Sequence, residues 1–118
     1  MRGKRSDKVG DLIKVEIAHM LLHELKDPRI GFVTVTRVGV SDDLRHAKVY
    51  YSVFGDESAK EESAAGLESA RGYMKRELGR RIRLKFMPEI TFFHDDSLEY
   101  ARAIDEVLQR VKDEAEGS

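Results

Sequence analysis

Residues 31–54 read GFVTVTRVGVSDDLRHAKVYYSVF, and the alternation in this stretch decides the fold. From Gly31 to Val40, Phe32, Thr34, Thr36 and Val38 alternate with Val33, Val35, Arg37 and Gly39. The β-branched side chains that dominate here suit a pleated, half-buried surface. Ser41-Asp42-Asp43-Leu44-Arg45 then supplies polar turn residues between two strand patterns. From His46 to Phe54, Ala47, Val49, Tyr51 and Val53 fall on one face, with Lys48, Tyr50 and Ser52 on the other. The pattern predicts an antiparallel pair with one face on the core and one in water.

Toward the N-terminus, Val9, Ile13, Ile17, Met20 and Leu21 recur at helical spacing. They predict a helix that starts with Ser6 or Asp7 as N-cap and runs to about Leu25. Asp27-Pro28 ends it, because proline lacks an N–H and pushes the preceding residue out of the helical region. Beyond the hairpin, a second helix begins near Ser58 and carries Ala59, Ala64, Ala65 and Leu67. It meets an interruption at Ala70-Arg71-Gly72 before Met74 and Leu78 resume the spacing. A helical glycine costs about 1 kcal/mol relative to alanine, so a kink involving Ala70 and Gly72 is predicted.

A third strand is predicted from Arg83 to Phe93, where Pro88 calls for an edge position or a bulge. The intervening helix is long enough for a right-handed crossover that lays this strand parallel to the second. A last helix from Asp96 or Ser97 is predicted to bury Leu98, Ala101, Ile104, Val107, Leu108 and Val111, with residues 113–118 as a frayed acidic tail. The sum is an α+β domain over residues 1–112 with a three-stranded mixed sheet packed by helices.

A chain of 118 residues is long enough for one core and too short for two. With 41% hydrophobic and 36% charged residues it reads as a folded domain with a heavily charged surface. The absence of cysteine excludes disulfide frameworks, thiolate zinc sites and thiol nucleophiles. No apolar run approaches the roughly 20 residues that span a bilayer, and the start MRGKRSDK leads into a mixed-charge helix; the expected setting is the cytoplasm, away from membranes.

The formal net charge of -1 hides a segregation of charge. Arg2, Lys4, Arg5 and Lys8 open the chain, Glu57, Glu61 and Glu62 sit in its middle, and Asp105, Glu106, Asp113, Glu114 and Glu116 close it. Between these acidic stretches, Arg71, Lys75, Arg76, Arg80, Arg81, Arg83 and Lys85 face one acid, Glu77. Such a local excess suits a phosphate backbone, since each neutralised phosphate releases condensed counterions. The cluster is therefore the candidate RNA-binding edge, and Arg5 in the basic N-terminal arm is a further candidate contact. Helical geometry turns Arg76 and Arg80 away from Met74 and Leu78. Gly72 and Gly79 share a stripe where a missing side chain lets a phosphate approach. Cations at a helix C-terminus also complement the macrodipole, which accounts for part of the cluster without RNA.

Other groupings carry blander readings. Arg29 in Asp27-Pro28-Arg29 touches RNA or pairs with Asp27, and the turn role is favoured. His19 and His23 have a two-histidine metal spacing, but no glutamate lies between them as a metalloprotease needs. His94, Asp95, Asp96 and Glu99 form the one cluster suited to metal-assisted hydrolysis, yet Asp96 and Glu99 are explained as acids at a helix start. Tyr50, Tyr51 and Phe54 offer a stacking platform or core packing, and Phe86, Phe92 and Phe93 are assigned to the core.

Several ordered motifs resemble one family, the ribosome-binding factor A proteins. They are Asp27-Pro28-Arg29 followed by Val33-Thr34-Val35-Thr36; Val40-Ser41-Asp42-Asp43-Leu44 leading into Ala47-Lys48-Val49-Tyr50; Ala70-Arg71-Gly72; and Arg83-Leu84-Lys85-Phe86-Met87-Pro88-Glu89-Ile90-Thr91-Phe92. The likeness runs from Arg5 to about Val111. It implies a type II KH-like fold in the order α-β-β-α(kink)α-β-α, with an Ala-x-Gly kink in place of the GxxG loop that clamps single-stranded RNA in other KH domains. In this chain Gly66, Gly72 and Gly79 have no glycine three residues away.

The resemblance further implies a non-enzymatic assembly factor without cofactor or metal, which acts as a monomer on the immature 30S small subunit. Its target would be 16S rRNA near the 5′ end, in support of late rRNA maturation and growth in the cold, with release helped by an assembly GTPase. The alternatives are a generic single-stranded RNA-binding KH-like module and a small metal-dependent nuclease.

Overall fold

The structure is a computed structural model that describes residues 5–31, 33–95 and 108–114. Helix α1 spans Arg5–His23, strand β1 Val33–Val40, strand β2 His46–Val53, helix α2 Glu57–Arg81 and strand β3 Glu89–His94. A further helical stretch covers residues 108–114. β2 is the central strand. It pairs antiparallel with β1, setting Val38 opposite Val49 and Val40 opposite Ala47, and parallel with β3, setting Ala47 opposite Ile90 and Val49 opposite Phe92. The anticipated mixed sheet, with the third strand at an edge, is what forms.

One face of the sheet carries the core. Val9, Ile13, Ile17 and Met20 of α1 and Leu67, Met74 and Leu78 of α2 bury against Val35, Ala47, Val49, Tyr51 and Ile90. Helix α1 lies over β1 and α2 over β3. Gly10 allows the first of these contacts, because a Cβ there would sit 2.9 Å from the Val38 carbonyl oxygen. Backbone meets backbone at that crossing.

The strict alternation expected along β1 fails at one place. The register shifts between Val35 and Arg37, so Thr36 forms a bulge. Val35 points inward before it, and Val38 and Val40 turn toward the core after it. A bulge inserts one residue and thereby exchanges the two faces. The Thr36 hydroxyl donates to Asp95 Oδ2 at 2.8 Å, and the Asp95 amide donates to the Tyr51 carbonyl.

Other expectations are refined or corrected. Helix α2 begins at Glu57, next to the expected Ser58, and is capped by Asp56, whose carboxylate accepts from the Ala59 amide at 2.9 Å. It runs through Ala70, Arg71 and Gly72 without a break, because the buried stripe of Leu67, Met74 and Leu78 holds both halves on the sheet. Strand β3 starts at Glu89, not Arg83, since Pro88 cannot donate to a ladder and the residues before it form bends. Of the last predicted helix, residues 96–107 lie outside the described residues; Leu108 and Val111, expected to be buried, are exposed. Asp113 and Glu114, assigned to the frayed tail, are helical, and residues 115–118 lie outside the described residues.

The loops between elements are held by short polar networks. Asp27 accepts from the Arg29 amide and from its guanidinium, so Arg29 fixes the turn after α1 as the proline motif suggested. Ser63 on α2 donates to the Arg29 carbonyl, and a Cβ at Gly66 would lie 2.7 Å from Ile30 Cγ1, so α2 seats closely on this turn. Among the described residues, no helix is long and apolar enough to cross a membrane.

Candidate nucleic-acid interface

The seven-residue basic cluster divides according to what each side chain touches. Arg71 bridges Glu68 at 2.9 Å and reaches the Ile90 carbonyl, and Lys75 pairs with Glu89 at the start of β3. These two bind α2 to the sheet edge. The Lys75 ammonium, through its hydrogen bond and charge, holds the Glu89 carboxyl below the usual range.

Arg81 is engaged more heavily. Its guanidinium lies 3.3 Å from Glu16, 2.6 Å from Glu24 and 3.1 Å from Glu77. Tyr73 donates its hydroxyl to the same Glu24 oxygen, and His19 Nε2 lies 3.4 Å from the other. Hydrogen bonding to Glu24 raises the pKa of Arg81 above its already high ordinary value. This residue joins the end of α2 to α1.

Arg76, Arg80, Arg83 and Lys85 present a different picture. All four are exposed, and among the described residues Arg76, Arg83 and Lys85 have no ion pair. Arg80 touches Glu77 at 3.1 Å with its side chain 74% exposed. Residues 76 and 80 stand one helical turn apart opposite buried Met74 and Leu78, as helical geometry requires. Gly72 and Gly79 have open space where a Cβ would be. The last turn of α2 and the segment after it thus offer cations beside uncovered backbone.

Arg5, at the first turn of α1, comes together with Lys85 around a concavity of about 210 Å³ that Arg45 also lines. Arg45 escaped sequence reasoning, because nothing in the order of residues places the β1–β2 turn beside the segment that precedes β3. The parallel pairing does so: the Glu89 amide donates to the Arg45 carbonyl at 2.8 Å. Leu44, just before it, adopts φ 62, a left-handed conformation unfavourable for a branched residue. Asp43 stabilises the turn by accepting from the Ser41 hydroxyl and the Arg45 amide, and Leu44 packs against the core. The Ser41 and Arg45 bonds draw the Asp43 pKa below the ordinary aspartate value.

The open face of the sheet carries a second arrangement. Arg37, Tyr50 and Phe93 stand opposite one another across all three strands. The Tyr50 and Phe93 rings stack at 5.6 Å, with the Arg37 guanidinium 3.8 Å from the Tyr50 centroid and Lys48 Nζ 5.8 Å from that of Phe93. These rings cover one another, whereas Tyr51 is buried on the core side. Phe93 is 39% and Phe86 68% exposed, so neither belongs to the core as assigned. Alternation along β3 turns Phe92 inward and Phe93 outward, while Phe86 sits on a loop outside that alternation.

The metal spacings resolve into ordinary contacts. The His19 and His23 rings lie 4.8 Å apart with their planes tilted by 50°, and no group of three or more metal-binding side chains is found among the described residues. Asp95 is occupied by Thr36, and Asp96 and Glu99 lie outside the described residues.

The ribosome-binding factor A family profile matches residues 5–108. The chain belongs to the ribosome-binding factor A family. It is 50% identical over 116 residues to ribosome-binding factor A of Halothermothrix orenii, covering 98% of this chain and 95% of that one. The crystal structure of ribosome-binding factor A from Thermus thermophilus superposes with a TM-score of 0.67 at 28% identity, over 79% of this chain and 97% of that one. A homology model of the Thermus thermophilus factor, fitted into the cryo-EM map of a 30S complex, gives a TM-score of 0.63 at 27% identity, over 75% and 92% of the two chains. The family membership thus rests on almost the whole chain.

Proposed function

We propose that this protein is a non-enzymatic factor that binds the immature 30S subunit in the cytoplasm and contacts 16S rRNA near its 5′ end. It reads as a type II KH-like module that lacks the GxxG loop and acts as a monomer. The observation that carries the reading is the row Arg76, Arg80, Arg83 and Lys85, exposed along the last turns of α2 and the segment after it, in a chain similar to a relative whose homology model has been fitted into the map of a 30S complex. Arg5 extends the same charge. Arg71, Lys75 and Arg81 hold α2 in place and present the row, with any phosphate contact of their own secondary to their ion pairs. Ala70 packs against the core, and Gly72 leaves the middle of α2 slim on its exposed side, where RNA backbone comes close.

Mechanism follows from differential affinity. A ligand shifts an equilibrium only as far as it binds one state better. A basic edge that fits one arrangement of immature rRNA stabilises that arrangement during late maturation and processing, including in the cold, and loses its fit in the mature subunit. An assembly GTPase that remodels the subunit would complete the release.

Sedimentation with purified small subunits, mature ribosomes and free RNA across a salt series tests this. Wild-type protein should cosediment with free small subunits and be poorly retained on mature ribosomes. Arg76→Ala/Arg80→Ala should bind more weakly and flatten the plot of log affinity against log salt by about 1 for each phosphate no longer neutralised. Equal binding to any RNA, or an unchanged double variant, would overturn the specific role or the assigned face.

A further inference from the structure

Between α2 and β3, residues 83–88 do not form a strand, and their side chains divide sharply. Leu84 and Met87 pack against the core and Pro88 is fully buried, so the segment is anchored along its length. Arg83, Lys85 and Phe86 point outward. Phe86 is 68% exposed, and its ring makes no aromatic stack among the described residues; its charged neighbour there is Lys85 Nζ, 5.7 Å from the centroid.

Two adjoining concavities, of about 240 and 210 Å³, share Phe86 and Arg45. Met87 also lines the first, and Arg5, Asp43 and Lys85 line the second. An exposed aromatic face bordered by three cations from three separate elements is the combination that holds one nucleotide: the base stacks on the ring and the phosphates meet the cations. Asp43, the acid on the rim, accepts hydrogen bonds from the Ser41 hydroxyl and the Arg45 amide at Oδ1, which ties that oxygen to the turn, and its charge is outnumbered by the three cations. With its carbonyl accepting from the Glu89 amide and its own amide donating to Asp43, the Arg45 backbone is fixed, and its side chain starts from a set point on the rim the ring also lines.

We infer that Phe86, with Arg45, Lys85 and Arg5, forms a subsite for a single unstacked nucleotide of RNA. The inference rests on the RNA-binding reading above and adds to it. The basic edge grips phosphates without regard to base pairing, whereas this subsite requires a base free to leave its stack, as at a bulge, a loop or a strand end. Any of the four bases presents a π-face, so stacking here is tolerant of sequence.

The chain has no tryptophan, so Phe86→Trp supplies a single indole at the subsite, excited selectively over the tyrosines. Titration with a single-stranded RNA hexamer should quench it, and a blunt RNA duplex at equal phosphate concentration should leave it bright. AMP at the hexamer's concentration should also leave it bright; equal quenching by AMP would overturn assignment to RNA in favour of a free nucleotide. Phe86→Leu should bind small subunits about 5- to 100-fold more weakly than wild type, with Phe86→Tyr close to wild type. Because Phe86 is exposed, the thermal midpoint of these variants should match wild type.

Wild-type binding to subunits with an unchanged Phe86→Leu variant, or equal quenching by duplex and single strand, would overturn the subsite and leave the basic edge standing. Failure of the wild-type protein to bind subunits or RNA at all would instead bring down the broader reading.

Discussion

Arg81 Nη2 lies 2.6 Å from Glu24 Oε1, and this contact joins the last turn of α2 to the residue that follows α1. Glu16 and Glu77 approach the same guanidinium, whose side chain is 26% exposed, while its neighbour Arg80 is 74% exposed. Adjacent arginines thus do different work. Arg81→Ala should lower the thermal midpoint measurably, because three carboxylates lose their common partner. Arg76→Ala and Arg80→Ala should leave the midpoint near wild type and weaken subunit binding instead. Thermal melts run beside cosedimentation separate the two outcomes; a midpoint unchanged by Arg81→Ala would show that the network holds nothing together.

The same network fixes the direction of acid destabilisation. Hydrogen bonding to Arg81 lowers the pKa of Glu24 from 4.5, and Lys75 lowers that of Glu89 from the same value. A carboxylate with a depressed folded-state pKa adds stability that is present above its unfolded pKa and lost as pH falls through the folded one. The loss should therefore set in below 4.5, the unperturbed value. Glu24→Gln should melt below wild type at pH 7, and the two midpoints should converge on acidification. A gap that persists at low pH would assign the effect to packing rather than charge.

The glycines of the helices should respond in opposite senses to alanine. A Cβ at Gly10 would meet the Val38 carbonyl oxygen at 2.9 Å, and neither backbone has a side chain that can swing aside. Overpacking of this kind costs about 1–3 kcal/mol, against a gain of at most about 1 kcal/mol in helix propensity. Gly10→Ala should come out destabilised in urea unfolding. Gly72 and Gly79 have nothing within 4 Å, so Gly72→Ala and Gly79→Ala should each gain about 0.5–1 kcal/mol. If RNA backbone approaches this side of α2, these stabilised variants should bind subunits less well. A gain in stability with undiminished binding would place the RNA elsewhere.

Local rules made most of the fold legible. The α1 stripe from Val9 to Met20 and the inward set Ala47, Val49 and Tyr51 followed from period alone, because each lies within one element and faces one core. The Thr36 bulge did not, since the extra residue is defined by the pairing of two strands. Arg45 and Phe86 were missed for a related reason: they lie far apart in the chain, and only the parallel β2–β3 pairing brings their loops together. The basic cluster was visible as composition. Its division into anchoring Arg71, Lys75 and Arg81 and exposed Arg76, Arg80, Arg83 and Lys85 depends on acids from α1 and β3, which spacing along α2 does not reveal.

On the open face of the sheet, Tyr50 and Phe93 occupy opposed positions of the parallel pair, with ring centroids 5.6 Å apart and planes inclined by 28°. Offset stacking at this separation contributes about 0.5–1.5 kcal/mol beyond the area it covers. Arg37 lies over the Tyr50 ring, so the pair is already supplied with its cation. A double-mutant cycle of Tyr50→Ala and Phe93→Ala, read by urea unfolding, should give a coupling of that size. Additive losses would mean that the two rings pack independently. Because the rings cover each other, the Tyr50→Leu variant should retain subunit binding, whereas Phe86→Leu should not. A loss of binding in both would move the stacking platform from the loop before β3 to the sheet itself.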